Sequence, residues 1–180
     1  MAFHTFSTKY SVAGLLGISG LALSSLVPGG PIETRSFAHI NPVTLGVFNT
    51  FLTTLTLGSL ILVYFVLKSE RWAMLGAALC GLSFFGVYVA DLAVIFPVSP
   101  DAMPPALLTI EILGTILSLP LMFFAVQAWR ALNQPAFVGA HTPQTHTAQT
   151  TQPWQLVLGF AVSVIGLGII IFATHAAMGL

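Results

Sequence analysis

Five apolar stretches, each close to the length that crosses a bilayer, occupy most of this chain: residues 12–27, 43–67, 72–96, 106–129 and 154–178. A helix rises about 1.5 Å per residue, so about 20 apolar residues traverse a ~30 Å hydrocarbon core. In hydrocarbon every backbone N–H and C=O must find its partner within the protein, which leaves helices or closed barrels. The runs here are continuous rather than alternating, and that excludes a barrel. The predicted fold is all-α: an integral membrane helical bundle of five transmembrane helices. Composition agrees, with 56% hydrophobic residues against 6% charged and a mean hydropathy of +0.95. No length remains for a separate soluble domain.

The breaks between the runs are chemically distinct. Pro28-Gly29-Gly30-Pro31 stops the first run, and Asn41-Pro42 opens the second. Lys68-Ser69-Glu70-Arg71 forms a very short turn, and residues 97–105 (PVSPDAMPP) form a rigid, helix-breaking connection. Pro120 is expected to kink the fourth helix. Residues 131–153 are rich in Thr, Gln, His and Pro, carry no charge and show no periodicity, so they read as a flexible cytoplasmic linker. The organisation predicted is a four-helix transmembrane unit over 1–130, the linker over 131–153 and a fifth transmembrane helix over 154–180. The first run reads as a retained helix rather than a cleaved signal, because it lacks a small-x-small cleavage site. Ala13, Gly17, Gly20 and Ser24 give it a small face, as do Gly159, Ser163 and Gly166 in the fifth run.

Positive charges flanking the spans set orientation. With five alternating helices, Lys9, Lys68, Arg71 and Arg130 fall on one side and Arg35 alone on the other. This places the N-terminus in the cytoplasm and the C-terminus outside, in a plasma (inner) membrane.

Ionisable residues inside apolar runs cost about 2.5–3.5 kcal/mol at the bilayer centre and less near its surface, so they face the bundle interior or water. Three stand out: Asp91, Glu111 and His175. The topology puts them in the outer half, together with Asn49 and beneath the loop carrying Glu33, Arg35 and His39. The candidate ligand-binding residues are therefore Asp91, Glu111, Arg35, His175, Asn49 and His39, around an outward-facing polar cleft. Such a carboxylate pair can bind a cation, relay protons or hold another small ligand or lipid headgroup. The plainer reading is that both acids are hydrated near the interface or bonded to Tyr88, Asn49 or a threonine. Glu33 and Arg35 can pair with each other, or reach Asp91 or Asp101; a solvated loop pair is the plainer reading.

Several chemistries lack support. No His-x-x-x-His or Glu-x-x-His spacing occurs, so metal ligation is not expected. No nucleophile elbow, P-loop or dinucleotide glycine pattern is present, and no cofactor is expected. The single cysteine, Cys80, excludes an intrachain disulfide and reads as a packing residue. Zero net charge without a basic tract makes nucleic acid an unexpected partner.

Between Pro28 and Arg130 the order of features resembles a broad group of uncharacterised bacterial and archaeal multipass membrane proteins carrying a domain of unknown function. The matching residues are His39-Ile40-Asn41-Pro42, Phe48-Asn49, Ile95-Phe96-Pro97 followed by Asp101, and Trp129-Arg130. The resemblance implies a helical bundle and no established activity. In that group a histidine often lies near the start of the helix after the Phe-Pro step; here Glu111 occupies that region. The function expected is that of a small multi-pass membrane protein with an outer polar cleft, partnered by the lipid bilayer and by a small ligand or lipid. The alternatives are an accessory subunit, docking in a homo-oligomer or membrane complex through its small faces, and a membrane-embedded lipid-modifying enzyme.

Overall fold

The computed structural model describes residues 2–133 and 153–179. They form five helices: α1 (Ala2–Ser24), α2 (Pro42–Leu67), α3 (Arg71–Leu92), α4 (Pro105–Asn133) and α5 (Pro153–Ala177). Three of them, α2, α3 and α4, are long and apolar enough to cross a membrane. Only 33%, 33% and 28% of their most apolar windows is buried inside the protein. The remainder is an outward-facing apolar surface that includes Leu79, Leu82, Ile116 and Phe123, which suits a lipid surrounding. The described apolar part of α5, Ala161–Ala177, is shorter. The bulk of the predicted linker, with His141 and His146, lies outside the described residues.

Lipid tails are as apolar as leucine, so helices in a bilayer associate by close packing rather than by escape from water. The α3–α4 seam shows how the sequence arranges this. Buried positions on α3 run Ala77, Gly81, Phe84, Tyr88, Asp91, and on α4 Leu107, Glu111, Gly114, Ser118, Leu121, Ala125, Ala128. Both stripes step by alternating fours and threes, the spacing of a left-handed antiparallel pair. Contacts fix the register. The α-carbon of Gly81 approaches Leu121 and Met122, and the ring of Tyr88 lies over Gly114. Seven steps up α3 match seven steps back along α4, and three more bring Asp91 opposite Glu111.

The glycines of the small faces of α1 and α5 pack on α2, while Ser24 and Ser163 are exposed. Gly20 packs on Ser59 and Leu60 of α2, Gly17 on Val63, and Gly166 of α5 on Leu57. α1 contributes Val12, Leu16 and Ser19, all fully buried, to the common core. Among the described residues, α2 is the helix on which α5 packs.

Some helix ends differ from the sequence expectation: α1 begins at Ala2, not Val12, and α4 ends at Asn133, not Trp129, whereas α2 ends at Leu67 as expected. α3 stops at Leu92, not at Phe96, through a Schellman motif: Ile95 N–H donates to Ala90 O and Val94 N–H to Asp91 O. Val94 takes the left-handed position at φ 53° that glycine normally fills. α2 ends the same way, with Glu70 N–H donating to Phe65 O, Ser69 N–H to Val66 O, and Ser69 at φ 61°. Neither stop carries a glycine signature. Asp91 therefore sits in the last turn of α3, not a turn and a half below its end. α4 runs on through Pro120 to Asn133.

Candidate functional site

The C-termini of α1, α3 and α5 and the N-termini of α2 and α4 form one end of the bundle. The α1–α2 connection crosses this end. Its residues 33–37 alternate inward and outward: Glu33, Arg35 and Phe37 are buried, Thr34 and Ser36 exposed. Alternation with a period of two is what an extended chain imposes. The segment is tied down along its length. Phe37 N–H donates to Ala177 O at 2.8 Å. Ser36 N–H donates to the Asp101 carboxylate at 2.7 Å, and Ser99 Oγ donates to Ser36 O at 3.0 Å. Gly29, at φ 79°, lies so close to α5 that a Cβ there would meet that of Ala176 at 2.5 Å.

Arg35 is the centre of the cluster. Its Nη1 and Nη2 donate to both oxygens of Asp91, at 2.9 and 2.6 Å. Nε and Nη2 donate to Glu33, at 3.0 and 2.6 Å. A planar fork of donors matched to two carboxylates is the strong form of ion pairing. Burial works against the Arg35 charge, but the hydrogen bonds to Glu33 and Asp91 and their negative charges outweigh it, raising its pKa above the ordinary arginine value. Asp91 explains why the cation is needed there. A carboxylate in the last turn of a helix faces the negative end of the macrodipole, and Arg35 offsets both that field and the burial. The solvated loop pair expected of Glu33 and Arg35 is instead a buried three-residue bridge, with side chains 5%, 6% and 10% exposed.

Glu111 stands beside this bridge and outside it. It is 2% exposed, and its carboxyl lies within hydrogen-bonding reach of Asp91. Its Oε2 has no hydrogen-bond partner among the described residues, and neither has the Tyr88 hydroxyl, on a residue 1% exposed. Tyr88 is held by stacking on Phe84, with ring centroids 6.5 Å apart, and by the absent side chain of Gly114. Glu33, Asn49, Tyr88, Asp91 and Glu111 line one cavity of about 50 Å³, closed by Phe37 and Pro97 among others. A water site needs about 10–15 Å³ on this scale, so the space suits a few waters or an ion. It is too small for a headgroup or an organic substrate.

Of the six candidates read from sequence, the structure brings Asp91, Glu111 and Asn49 to the wall of this cavity, and Arg35 joins them only through its bonds to Asp91 and Glu33. The Asn49 amide donates to Thr174 Oγ1 at 3.1 Å, linking α2 to α5. His39 and His175 are exposed and do not line the cavity. His175 shares a depth with the acids, but depth does not fix the direction a helix presents. Glu33 and Tyr88 belong to the cavity and were not among the candidates. The signals for them were present: Glu33 precedes Arg35 at extended spacing, and Tyr88 shares a helical face with Asp91. Among the described residues, no three His, Cys, Asp or Glu side chains are grouped to hold a metal ion.

No protein of curated function and no solved structure is significantly similar to the chain. The family described as a domain of unknown function, DUF8051, matches residues 8–151. That span contains every polar residue of the cavity and leaves out α5. The chain thus belongs to the DUF8051 family, as the resemblance between Pro28 and Arg130 implied.

Proposed function

We propose that this protein crosses the bilayer five times, with its N-terminus cytoplasmic, and holds a proton at an outward-facing carboxyl pair, Asp91 and Glu111. The observation that carries the reading is the buried Glu111 carboxyl, with one oxygen unpartnered, within reach of Asp91. Ionised carboxylates only accept hydrogen bonds, so two of them in contact bond to each other through one shared proton. Asp91 already accepts from Arg35 through both oxygens, so the proton resides on the Glu111 side of the contact. The cavity supplies room for the waters that would exchange it.

The five-span reading rests on helix lengths. α5 has 25 residues, against the ~20 needed for the hydrocarbon core, and past Lys9 the apolar run of α1 extends from Val12 to the helix end at Ser24. Orientation rests on the four flanking cations Lys9, Lys68, Arg71 and Arg130 at the end opposite the cavity. The accessory-subunit reading has less to rest on, since Gly17, Gly20 and Gly166 of the small faces already pack on α2, while Ser24 and Ser163 stay exposed. A lipid-modifying enzyme would need headgroup space that the polar cavity lacks.

Thermal unfolding of the purified protein in nanodiscs tests this. The midpoint should shift with pH and stay constant when sodium, potassium or N-methylglucamine is exchanged. Glu111→Gln should remove the pH shift. A cation dependence would make the ligand a metal ion instead of a proton. Independence from both would remove the ligand role.

A further inference from the structure

A second, larger space lies on the other side of α2. α1 and α5 both pack on α2, but among the described residues they make no contact with each other. The cleft between them is an apolar groove of about 390 Å³. Its α2 wall runs from Asn49 to Leu57 and its α5 wall from Ile165 to Ala173. Eight residue steps along each wall make it roughly 12 Å long, parallel to the helices. An apolar cavity of about 150 Å³ accommodates benzene, so this one has room for roughly fifteen carbons. At one end the groove shares Leu23, Leu26, Pro28, Asn49 and Leu52 with the polar cavity. It therefore runs from the polar end of the bundle toward its middle.

We propose that this groove seats one acyl chain of a membrane phospholipid from the leaflet nearer the Arg35 cluster. Its shape, apolar lining and alignment with the helices fit a lipid tail. A slot left empty would forfeit dispersion contacts along its whole lining. The groove exists only because α5, outside the DUF8051 match, lies against α2. The inference requires the helices to lie in a bilayer and does not require a proton at Glu111, so the two readings fail separately.

Gly168 allows a direct test. It lines the groove, and a Cβ built on it meets nothing within 4 Å. Gly168→Phe should fill the slot without disturbing packing, and Gly168→Leu should fill it in part. Gly86, exposed on α3 and equally unobstructed, provides the control Gly86→Phe. The protein would be reconstituted in phosphatidylcholine nanodiscs, transferred to detergent and weighed intact by native mass spectrometry. One phosphatidylcholine per chain should survive in the wild type and in Gly86→Phe. Retention should fall about tenfold in Gly168→Phe and by less in Gly168→Leu. No retained lipid in the wild type would overturn the proposal. So would equal retention in the Gly168 variants, which marks loosely surrounding lipid, or a lipid-free dimer that Gly168→Phe dissociates.

Discussion

The two ends of this bundle carry five charged residues each and use them in opposite ways. At the end with the α2–α3 turn lie Lys9, Lys68, Glu70, Arg71 and Arg130, four cations and one anion. Lys68, Glu70, Arg71 and Arg130 are exposed. At the other end lie Glu33, Arg35, Asp91, Asp101 and Glu111, four anions and one cation, and all but Asp101 are buried. Exposed charges set orientation and solubility and contribute little to stability. Buried ones must be neutralised, and a single guanidinium cannot neutralise three buried carboxylates. That imbalance is the physical basis for assigning a function to one end only.

The comparison predicts a graded set of effects on unfolding free energy, measured in detergent or nanodiscs. Arg35→Ala should be the most damaging, at about 3–5 kcal/mol, because it strands two buried carboxylates. Arg35→Lys should recover only part of this, since an ammonium cannot bond both carboxylates as a fork. A recovery as complete as wild type would show that charge alone, not geometry, holds the end together. Gly114→Ala comes next, at about 1–3 kcal/mol, because a methyl there collides with the ring of Tyr88. It should also alter the pH response by displacing Tyr88 from beside Glu111. Val94→Gly should stabilise by about 1 kcal/mol, relieving the left-handed φ of 53° at the α3 stop. At the exposed end, Lys68→Ala should change stability by less than about 0.5 kcal/mol. A larger loss there would mean the two ends are not the contrast described.

Much of the fold was legible in the sequence because a bilayer permits few alternatives. Long apolar runs, Asn41-Pro42 and the Lys68–Arg71 turn locate the five helices and both ends of α2, but α1 begins well before its apolar run, at Ala2. The glycine-free stop of α3 was not legible: the loop beyond Val94 is tied to Ser36 through Ser99 and Asp101. The site was half legible. Asp91 and Glu111 stand out as acids in apolar runs, and their convergence follows from antiparallel heptad stripes, whose register the sequence alone does not give. The depth argument failed for His175, which lies at the right level on an exposed face. It also hid Glu33, whose importance comes from the loop folding inward over the bundle. Arg35 remains charged across the accessible pH range, so any pH response of this end belongs to its carboxyls.

Infrared difference spectroscopy of the carboxylic acid C=O stretch tests the central claim most directly. In nanodiscs at neutral pH, the wild type should show the band of one protonated, buried carboxyl. Glu111→Gln should abolish it, and Arg35→Lys should shift it. A wild type without the band, or a band that survives Glu111→Gln, would contradict a proton held between Asp91 and Glu111.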